Sequence, residues 1–190
     1  MKLERILPFA RTLLERAVKE GDYAVDATLG NGHDTCFLAE LVGESGKVFG
    51  FDIQEEAITN SSARLQEKGL NERAVLIHDS HDTLTAVLPE DTKGKVTGAI
   101  FNLGYLPGGD KSIVTKPNST LSALQQLLEV MAPEGIIVLV IYHGHPEGQT
   151  ERDAVVKFAE QLEQKEAHVL KYEFMNQQNN PPFIVAIEKR

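Results

Sequence analysis

The segment from Tyr23 to Leu41 constrains the fold of this chain more than any other. A short apolar run ends in an acid at Asp26, a turn containing Gly30 and Gly32 follows, and helix-forming residues continue to Leu41. This order predicts a buried strand, a tight turn and the N-terminus of a helix. Glycine lets the backbone pass close to a ligand, and the free N–H groups at a helix start favour polar or anionic groups. The segment therefore predicts a binding site.

A second acid, Asp52, narrows the class of ligand. It ends the apolar run Lys47–Phe51 and suits the two hydroxyl groups of a ribose. The dinucleotide fingerprint G-x-G-x-x-G is incomplete, because Thr35 stands in place of its third glycine, and this argues against a nicotinamide enzyme. The pattern is similar to the first two motifs of class I S-adenosylmethionine-dependent methyltransferases. An ordinary strand–turn–helix connection remains the alternative.

Composition indicates one soluble domain over residues 1–190. Apolar residues make up 42% and charged residues 25%, and no run approaches the ~20 apolar residues of a membrane span. The first residues alternate charge and apolarity at helical spacing, unlike a secretory signal, so we expect a cytoplasmic protein. The single cysteine, Cys36, is expected to be buried in a helix. A net charge of −9 argues against non-specific binding of nucleic acid, so an RNA substrate would require a local basic patch or recognition of shape.

Hydrophobic periodicity predicts strands alternating with helices, followed by two closing strands. We expect helices over 3–20, 33–41, 55–68, 81–88, 119–131 and from residue 150, and strands over 23–26, 48–52, 74–78, 96–102, 135–142, 168–175 and 183–188. The alternation predicts a doubly wound parallel sheet, and the short link between the closing strands makes that pair antiparallel. The fold class is therefore a seven-stranded, Rossmann-like class I methyltransferase sheet with the last strand antiparallel.

Ligands in such a sheet bind beyond the carboxyl ends of the strands. Each of the first five predicted strands ends in polar residues, and any one of these ends could be only a turn or a helix cap. Together they are better explained by one site. The side chains concerned are Asp26, Asp52, Gln54, Asp79, Ser80, His81, Asn102, Tyr105, Tyr142, His143 and His145.

The end of the fourth strand carries the most informative pattern. Phe101–Pro107 resembles the Asn/Asp-Pro-Pro-Tyr motif of methyltransferases that act on amines, with Leu103 and Gly104 where prolines are usual. In that motif a side-chain carbonyl and a backbone carbonyl accept the hydrogens of the amine, and an aromatic ring stacks on the target or on the cofactor. Asn102 is the candidate acceptor and Tyr105 the candidate ring. A turn with a surface tyrosine is the alternative.

The pair His143 and His145 has three open interpretations: a metal pair, a base or a turn. One cysteine and no His-x-x-x-His argue against a structural zinc site. A primary amine must lose a proton before it attacks, and a histidine near neutrality could accept it, which makes His143 a candidate base. Four cations, Lys111, Lys116, Arg152 and Lys157, could contact a phosphate backbone or could be scattered on the surface.

Taken together, the motifs resemble the small bacterial YtqB-type family, labelled as rRNA methylases. The segments that carry this resemblance are residues 26–35, 51–54, 78–81, 101–110, 142–148 and 179–183. Members of that family methylate the amine of 5-aminomethyl-2-thiouridine at the tRNA wobble position. The resemblance implies S-adenosyl-L-methionine as cofactor, the tRNA anticodon stem-loop as partner, and a homodimer. Methyltransferases acting on rRNA or on a small amine, and a module that binds without turnover, remain the rival hypotheses.

The same resemblance implies a role for each candidate residue. Gly30, Asn31, Gly32, His33, Asp34 and Thr35 would surround the methionine tail of the cofactor beside Asp26. Asp52 and Gln54 would hold the ribose and the adenine edge, and Asp79, Ser80 and His81 would border the adenine. Leu106, Lys111, Tyr142, His143 and His145 would face the acceptor.

Overall fold

The computed structural model describes residues 1–104, 114–144 and 146–190. Its helices are α1 (Ile6–Ala17), α2 (His33–Val42), α3 (Glu55–Glu67), α4 (Leu84–Val87), α5 (Pro117–Val130) and α6 (Pro146–Gln161). Its strands are β1 (Tyr23–Asp26), β2 (Lys47–Asp52), β3 (Ala74–His78), β4 (Val96–Leu103), β5 (Met131–Ile141), β6 (Ala167–Tyr172) and β7 (Phe183–Lys189). Within these ranges no helix has the length and apolarity to cross a bilayer.

The strands form one mixed sheet in the order β3-β2-β1-β4-β5-β7-β6. The first five strands pair in parallel, and β7 runs antiparallel to both of its neighbours. This order confirms the predicted class I methyltransferase sheet. The strand order reverses beside β1, so the carboxyl ends of β1, β2, β4 and β5 meet at one edge and frame a crevice there.

The core consists of two apolar layers, one on each face of the sheet. Neighbouring residues of β4 show the division, because Ile100 packs with α1 and α2 while Phe101 packs with α5 and α6. Both side chains are buried, as are most residues of β4 and the second part of β5. A parallel sheet covered by helices on both faces requires such unbroken apolar strands. Cys36 is buried in α2 as predicted.

Two boundaries differ by four residues from the sequence-based expectation, and the others differ by three residues or fewer. The last helix begins at Pro146 and not at Thr150, and the Thr150 hydroxyl donates to the carbonyl of Pro146 instead of capping a helix start. Proline is well suited to the first turn of a helix because its missing N–H would be unpaired there in any case. Strand β5 begins at Met131, directly after α5, with Glu134 at a φ of 64°. Its apolar run is therefore only the second part of the strand.

Candidate active site

The glycine turn between β1 and α2 is held from below by α3. Gly30 and Gly32 both have positive φ, at 52° and 75°. A Cβ at Gly32 would lie 2.7 Å from Ser61 Oγ and 3.0 Å from Ser61 Cα. The Ser61 hydroxyl donates to the carbonyl of Gly30 at 3.0 Å, and Arg64 Nε donates to the carbonyl of Asn31 at 2.7 Å. The turn requires glycine because both its backbone conformation and its packing exclude a side chain.

Asp52 joins the glycine turn to the end of β2. Its Oδ2 accepts the N–H of Gly30 at 2.9 Å and its Oδ1 accepts the N–H of Gln54 at 3.0 Å. Each carboxylate oxygen can accept a further hydrogen bond, so both remain suited to a vicinal diol. The structure thus places Asp52 directly beside the glycine turn, and its role as a ribose ligand stays a prediction.

A first cavity of about 390 Å³ opens beside Asp52. It lies within the usual size range of small-molecule sites, and apolar Phe51 and Ile53 give it surfaces suited to a flat ring. The predicted residues Gln54, Asp79, Ser80 and His81 all border it. Its further lining residues are Ala27, Thr28, Gly30, Asp82, Asn102, Gly104, Val114, Thr115, Lys116 and Ser119.

His81 is the buried polar group of this cavity. Its Nδ1 donates to the carbonyl of Ala27 at 2.9 Å, and its ring meets Phe101 edge-on. Its Nε2 is buried and has no hydrogen-bond partner among the described residues. Burial lowers the pKa of His81, so the ring is neutral and Nε2 is an acceptor.

A second cavity of about 680 Å³ lies on the other side of the turn. Asn102 and Gly104 line both cavities and stand where they meet. Tyr142 has 36% of its surface exposed here. Its partial burial, followed by the charge of Asp34, raises the pKa of its hydroxyl, which therefore keeps its proton. The other lining residues are Leu7, Arg11, Thr28, Leu29, Gly30, Asn31, His33, Asp34, His143, Gly144 and Asn180.

Asn102 is oriented by two neighbours. Its side-chain Nδ2 donates to Asp34 Oδ2 at 2.9 Å, and its backbone N–H donates to the hydroxyl of Thr28 at 2.7 Å. The other carboxylate oxygen of Asp34 faces Arg11 at 3.4 Å. Because the Asp34 carboxylate can only accept, it fixes the amide so that Asn102 presents its carbonyl oxygen elsewhere.

Asp26, Gly32 and Thr35 line neither cavity, although the sequence analysis placed them at the cofactor. Asp26 is fully buried and accepts hydrogen bonds from the Thr35 hydroxyl at 2.6 Å and the Thr28 N–H at 3.2 Å. These residues lie on the inner side of the glycine turn and stabilise it. Burial, followed by the charge of Asp34, raises the pKa of Asp26 to about 7.

The raised pKa of Asp26 predicts that stability falls as pH rises. The folded state holds the proton more tightly than the unfolded state does. The contribution of Asp26 to the free energy of unfolding is therefore complete below about pH 3.8 and is lost as the pH rises through about 7. Between pH 5 and pH 8 we expect wild type to lose roughly 2–3 kcal/mol relative to Asp26→Asn, which does not titrate. Thermal unfolding of both proteins across this range measures the difference. Parallel profiles would show that Asp26 does not titrate there.

His143 is less suited to act as a base than its position in the sequence indicated. Its Nε2 donates to the carbonyl of Pro181 at 3.0 Å, and its Nδ1 accepts from Arg152 at 3.2 Å. The side chain is buried and packs edge-on against Phe183. With both ring nitrogens engaged, the geometry favours a role in holding the connection between β6 and β7, residues 173–182, beside the second cavity over proton transfer.

The remaining candidate residues fall into two groups, those outside the described residues and three cations within them. Tyr105, Leu106, Lys111 and His145 lie outside the described residues. Lys116 borders the first cavity, whereas Arg152 and Lys157 line a third depression with Lys171. Acidic residues accompany the cations there, and Arg152 pairs with Asp153 at 2.7 Å. The described cations therefore do not form one basic surface.

Several residues of the site were not predicted from the sequence. Leu7 and Arg11 reach the second cavity from α1, and Asn180 reaches it from the connection between β6 and β7. The amphipathic pattern of α1 predicted its buried face only. Nothing in the local sequence marks its exposed residues as neighbours of a turn that lies more than ten residues further along the chain.

Comparison with known proteins identifies the family. The model of a family described as "Putative rRNA methylase" matches residues 48–188. The chain belongs to the rRNA methylase family. It is therefore a methyltransferase, in agreement with the resemblance drawn from its motifs.

Relatives of known name or structure cover nearly the whole chain. A chloroplastic tRNA (mnm(5)s(2)U34)-methyltransferase of Arabidopsis thaliana is 35% identical over 95% of this chain and 68% of that protein. A solved structure from Clostridium thermocellum, described in the same words as the family, is 43% identical with a TM-score of 0.96 over all of both chains. A methyltransferase structure from Streptococcus mutans, in complex with SAH, is 36% identical with a TM-score of 0.89 over 99% of both.

Proposed function

We propose that this protein is an S-adenosylmethionine-dependent N-methyltransferase of tRNA. Its substrate would be the aminomethyl group of 5-aminomethyl-2-thiouridine at the wobble position, and its product the 5-methylaminomethyl form. The observation that carries the proposal is the carbonyl of Asn102, oriented by Asp34 at the junction of two cavities. The substrate is inferred from the Arabidopsis relative, which is named for this nucleoside and is similar along 95% of the chain.

The residues around the first cavity fit the nucleoside part of this cofactor. Asp52 offers two acceptor oxygens for a diol, and Phe51 and Ile53 offer apolar contact for a base. The Gly30–Gly32 turn admits a chain close to its backbone. When bound, S-adenosylmethionine supplies a methyl group activated by its sulfonium. The Streptococcus mutans relative, solved with SAH, supports this choice of cofactor.

Asn102 would orient the acceptor amine. An amine attacks with its lone pair, so its N–H groups must point away from the methyl group and toward acceptors. Asn102 Oδ1 has no partner in the described part of the chain and can take one of these N–H groups, because Asp34 holds the amide nitrogen. Orientation of this kind lowers the activation barrier, because the entropy of alignment is already lost when the substrate binds. On transfer, the amine nitrogen would form a bond to the methyl carbon while the carbon–sulfur bond breaks and leaves SAH, and the nitrogen would release one proton to water.

Asp34 adds an electrostatic contribution in the second cavity. A primary amine is largely protonated at neutral pH, and the Asp34 carboxylate attracts that cation to the side of the cavity where Asn102 stands. The net charge of −9 is compatible with recognition of a single splayed nucleotide through local contacts. The anticodon stem-loop presents such an unpaired base.

Nucleoside mass spectrometry tests the proposal directly. Bulk tRNA from a strain lacking this gene is incubated with the purified protein and S-adenosylmethionine, then digested. We expect 5-aminomethyl-2-thiouridine to decrease while a nucleoside one methyl heavier appears. Unchanged tRNA, with SAH binding confirmed separately, would overturn the wobble-uridine assignment.

Ribosomal RNA is the second substrate to test. Ribosomal RNA small subunit methyltransferase H of Bifidobacterium adolescentis is 33% identical over 45% of this chain, although that match spans only 25% of the relative. Incubation with rRNA from the same strain would show methylation there if this rival is correct. The homodimer implied by the family resemblance and the cytoplasmic location expected from the N-terminal residues remain predictions.

A further inference from the structure

Glu151 is a buried acid that the proposed chemistry does not use. It lies in the second turn of α6 with 2% of its surface exposed, and it lines none of the three cavities. Removing a carboxylate from water is costly unless hydrogen bonds replace the lost hydration. A carboxylate in this position must therefore be stabilised by hydrogen-bond donors around it.

The Glu151 carboxylate joins α6 to the chain that follows β4. One oxygen accepts a short hydrogen bond from the Thr115 hydroxyl, and the other accepts from the Thr120 hydroxyl at 2.6 Å. The Thr115 hydroxyl in turn accepts the backbone N–H of Gly104 at 3.1 Å, and the Thr115 N–H donates to the Gly104 carbonyl at 3.1 Å. Gly104 is thus tied to Glu151 through one hydroxyl group.

Gly104 is the residue at which this tie meets the active site. It lines both cavities and lies two residues after Asn102. The neighbouring Leu103 carbonyl accepts the N–H of Tyr142, so a shift of this backbone would move two walls of the site. The Thr115 hydroxyl has one hydrogen to donate and gives it to the Glu151 carboxylate, which can only accept. Its oxygen therefore remains oriented to accept the N–H of Gly104.

We propose that Glu151 is a positioning residue for methyl transfer, acting through Thr115 to hold the backbone of Gly104 at the junction of the two cavities. This inference rests on the proposed function but concerns a different set of residues. Glu151 lines none of the three cavities, so it would touch neither cofactor nor acceptor. It sets the geometry of the strand end that carries Asn102.

Four variants separate this role from simple stabilisation. Glu151→Gln keeps the shape but replaces one acceptor oxygen by a donor. Thr115→Val removes the hydroxyl and Thr115→Ser keeps it, while Thr120→Val removes a donor that has no bond to Gly104. We expect Glu151→Gln and Thr115→Val each to lower kcat roughly 10- to 100-fold, as misplacement by about 1 Å does in other enzymes. Thr115→Ser and Thr120→Val should stay within about threefold of wild type.

Two further measurements complete the test. The double variant Glu151→Gln/Thr115→Val should be no slower than the slower single variant, since both interrupt one connection. Hydrogen exchange of the peptide ending at Gly104 should accelerate in Glu151→Gln and Thr115→Val but not in Thr120→Val, with each protein folded at the assay temperature. Additive losses, a Thr120→Val defect equal to that of Thr115→Val, or unchanged exchange would overturn the proposal. If wild type methylates no tRNA, the proposed function fails while hydrogen exchange still decides the role of Glu151.

Discussion

Replacing Asn102 by alanine is expected to lower kcat for methyl transfer by roughly 10²- to 10³-fold, the range seen when a fixed polar group at a reaction centre is removed. The side chain stands where the two cavities meet, and its amide nitrogen is held by Asp34 at 2.9 Å. Without the carbonyl, the acceptor amine loses the partner that turns its lone pair toward the methyl group. Single-turnover assays on tRNA with saturating cofactor measure this loss.

Cofactor affinity separates this catalytic loss from a collapsed site. We expect the dissociation constant for SAH to change by no more than about threefold in Asn102→Ala, because Asp52, the proposed ribose ligand, is held by Gly30 and Gln54 and not by Asn102. Asn71→Ala is the matched control, since Asn71 is exposed and lines neither of these two cavities. Wild-type turnover in Asn102→Ala would remove Asn102 from the mechanism. A parallel loss of SAH binding would reassign it to the cofactor site.

Replacing Gly32 by alanine is expected to cost roughly 2–4 kcal/mol of stability and to weaken SAH binding more than tenfold. Part of the cost is the positive φ of 75°, which disfavours an L side chain. The larger part is the contact of the new Cβ with Ser61, at 2.7 Å from its Oγ and 3.0 Å from its backbone Cα. A helix backbone cannot yield as a flexible side chain does, so the glycine turn itself must move.

Gly69→Ala isolates the contribution of backbone conformation. Gly69 has a φ of 66°, close to that of Gly32, but a Cβ there would meet nothing within 4 Å. Gly69→Ala should therefore lose about 1 kcal/mol of stability, with its affinity for SAH unchanged. Thermal unfolding and calorimetric titration with SAH compare the two variants. Equal effects at both positions would show that the contact with Ser61 is unimportant.

The order of elements was accessible from the sequence because each depends on residues close together in the chain. Apolar runs such as Ile136–Ile141 indicated buried strands, and the structure confirms that this part of β5 is buried in the centre of the sheet. The ends of the elements were less accessible, and several were placed up to four residues away from their observed positions. Helix α6, for example, starts at Pro146, where proline suits the first turn of a helix, four residues before the predicted start at residue 150.

Much of the candidate site was likewise accessible, since a parallel sheet gathers its strand ends at one edge. The residues after β1, β2, β3, β4 and β5 that the structure describes do lie around two adjoining cavities. The exceptions are side chains that turn inward. Asp26 and Thr35 bond to each other beneath the glycine turn, and the sequence pattern does not distinguish an inward acid from one that faces a ligand.

By itself, the sequence determined the sheet, its glycine turn and the polar strand ends, because local periodicity and backbone sterics govern these features. Only the tertiary structure decided which way each polar group faces and which distant residue holds it. Asp34 meets Asn102 across 68 positions and Glu151 meets Thr115 across 36. Such pairs arise from packing of separate elements against one another, and a hydrogen bond between them has no signature in the local order of residues.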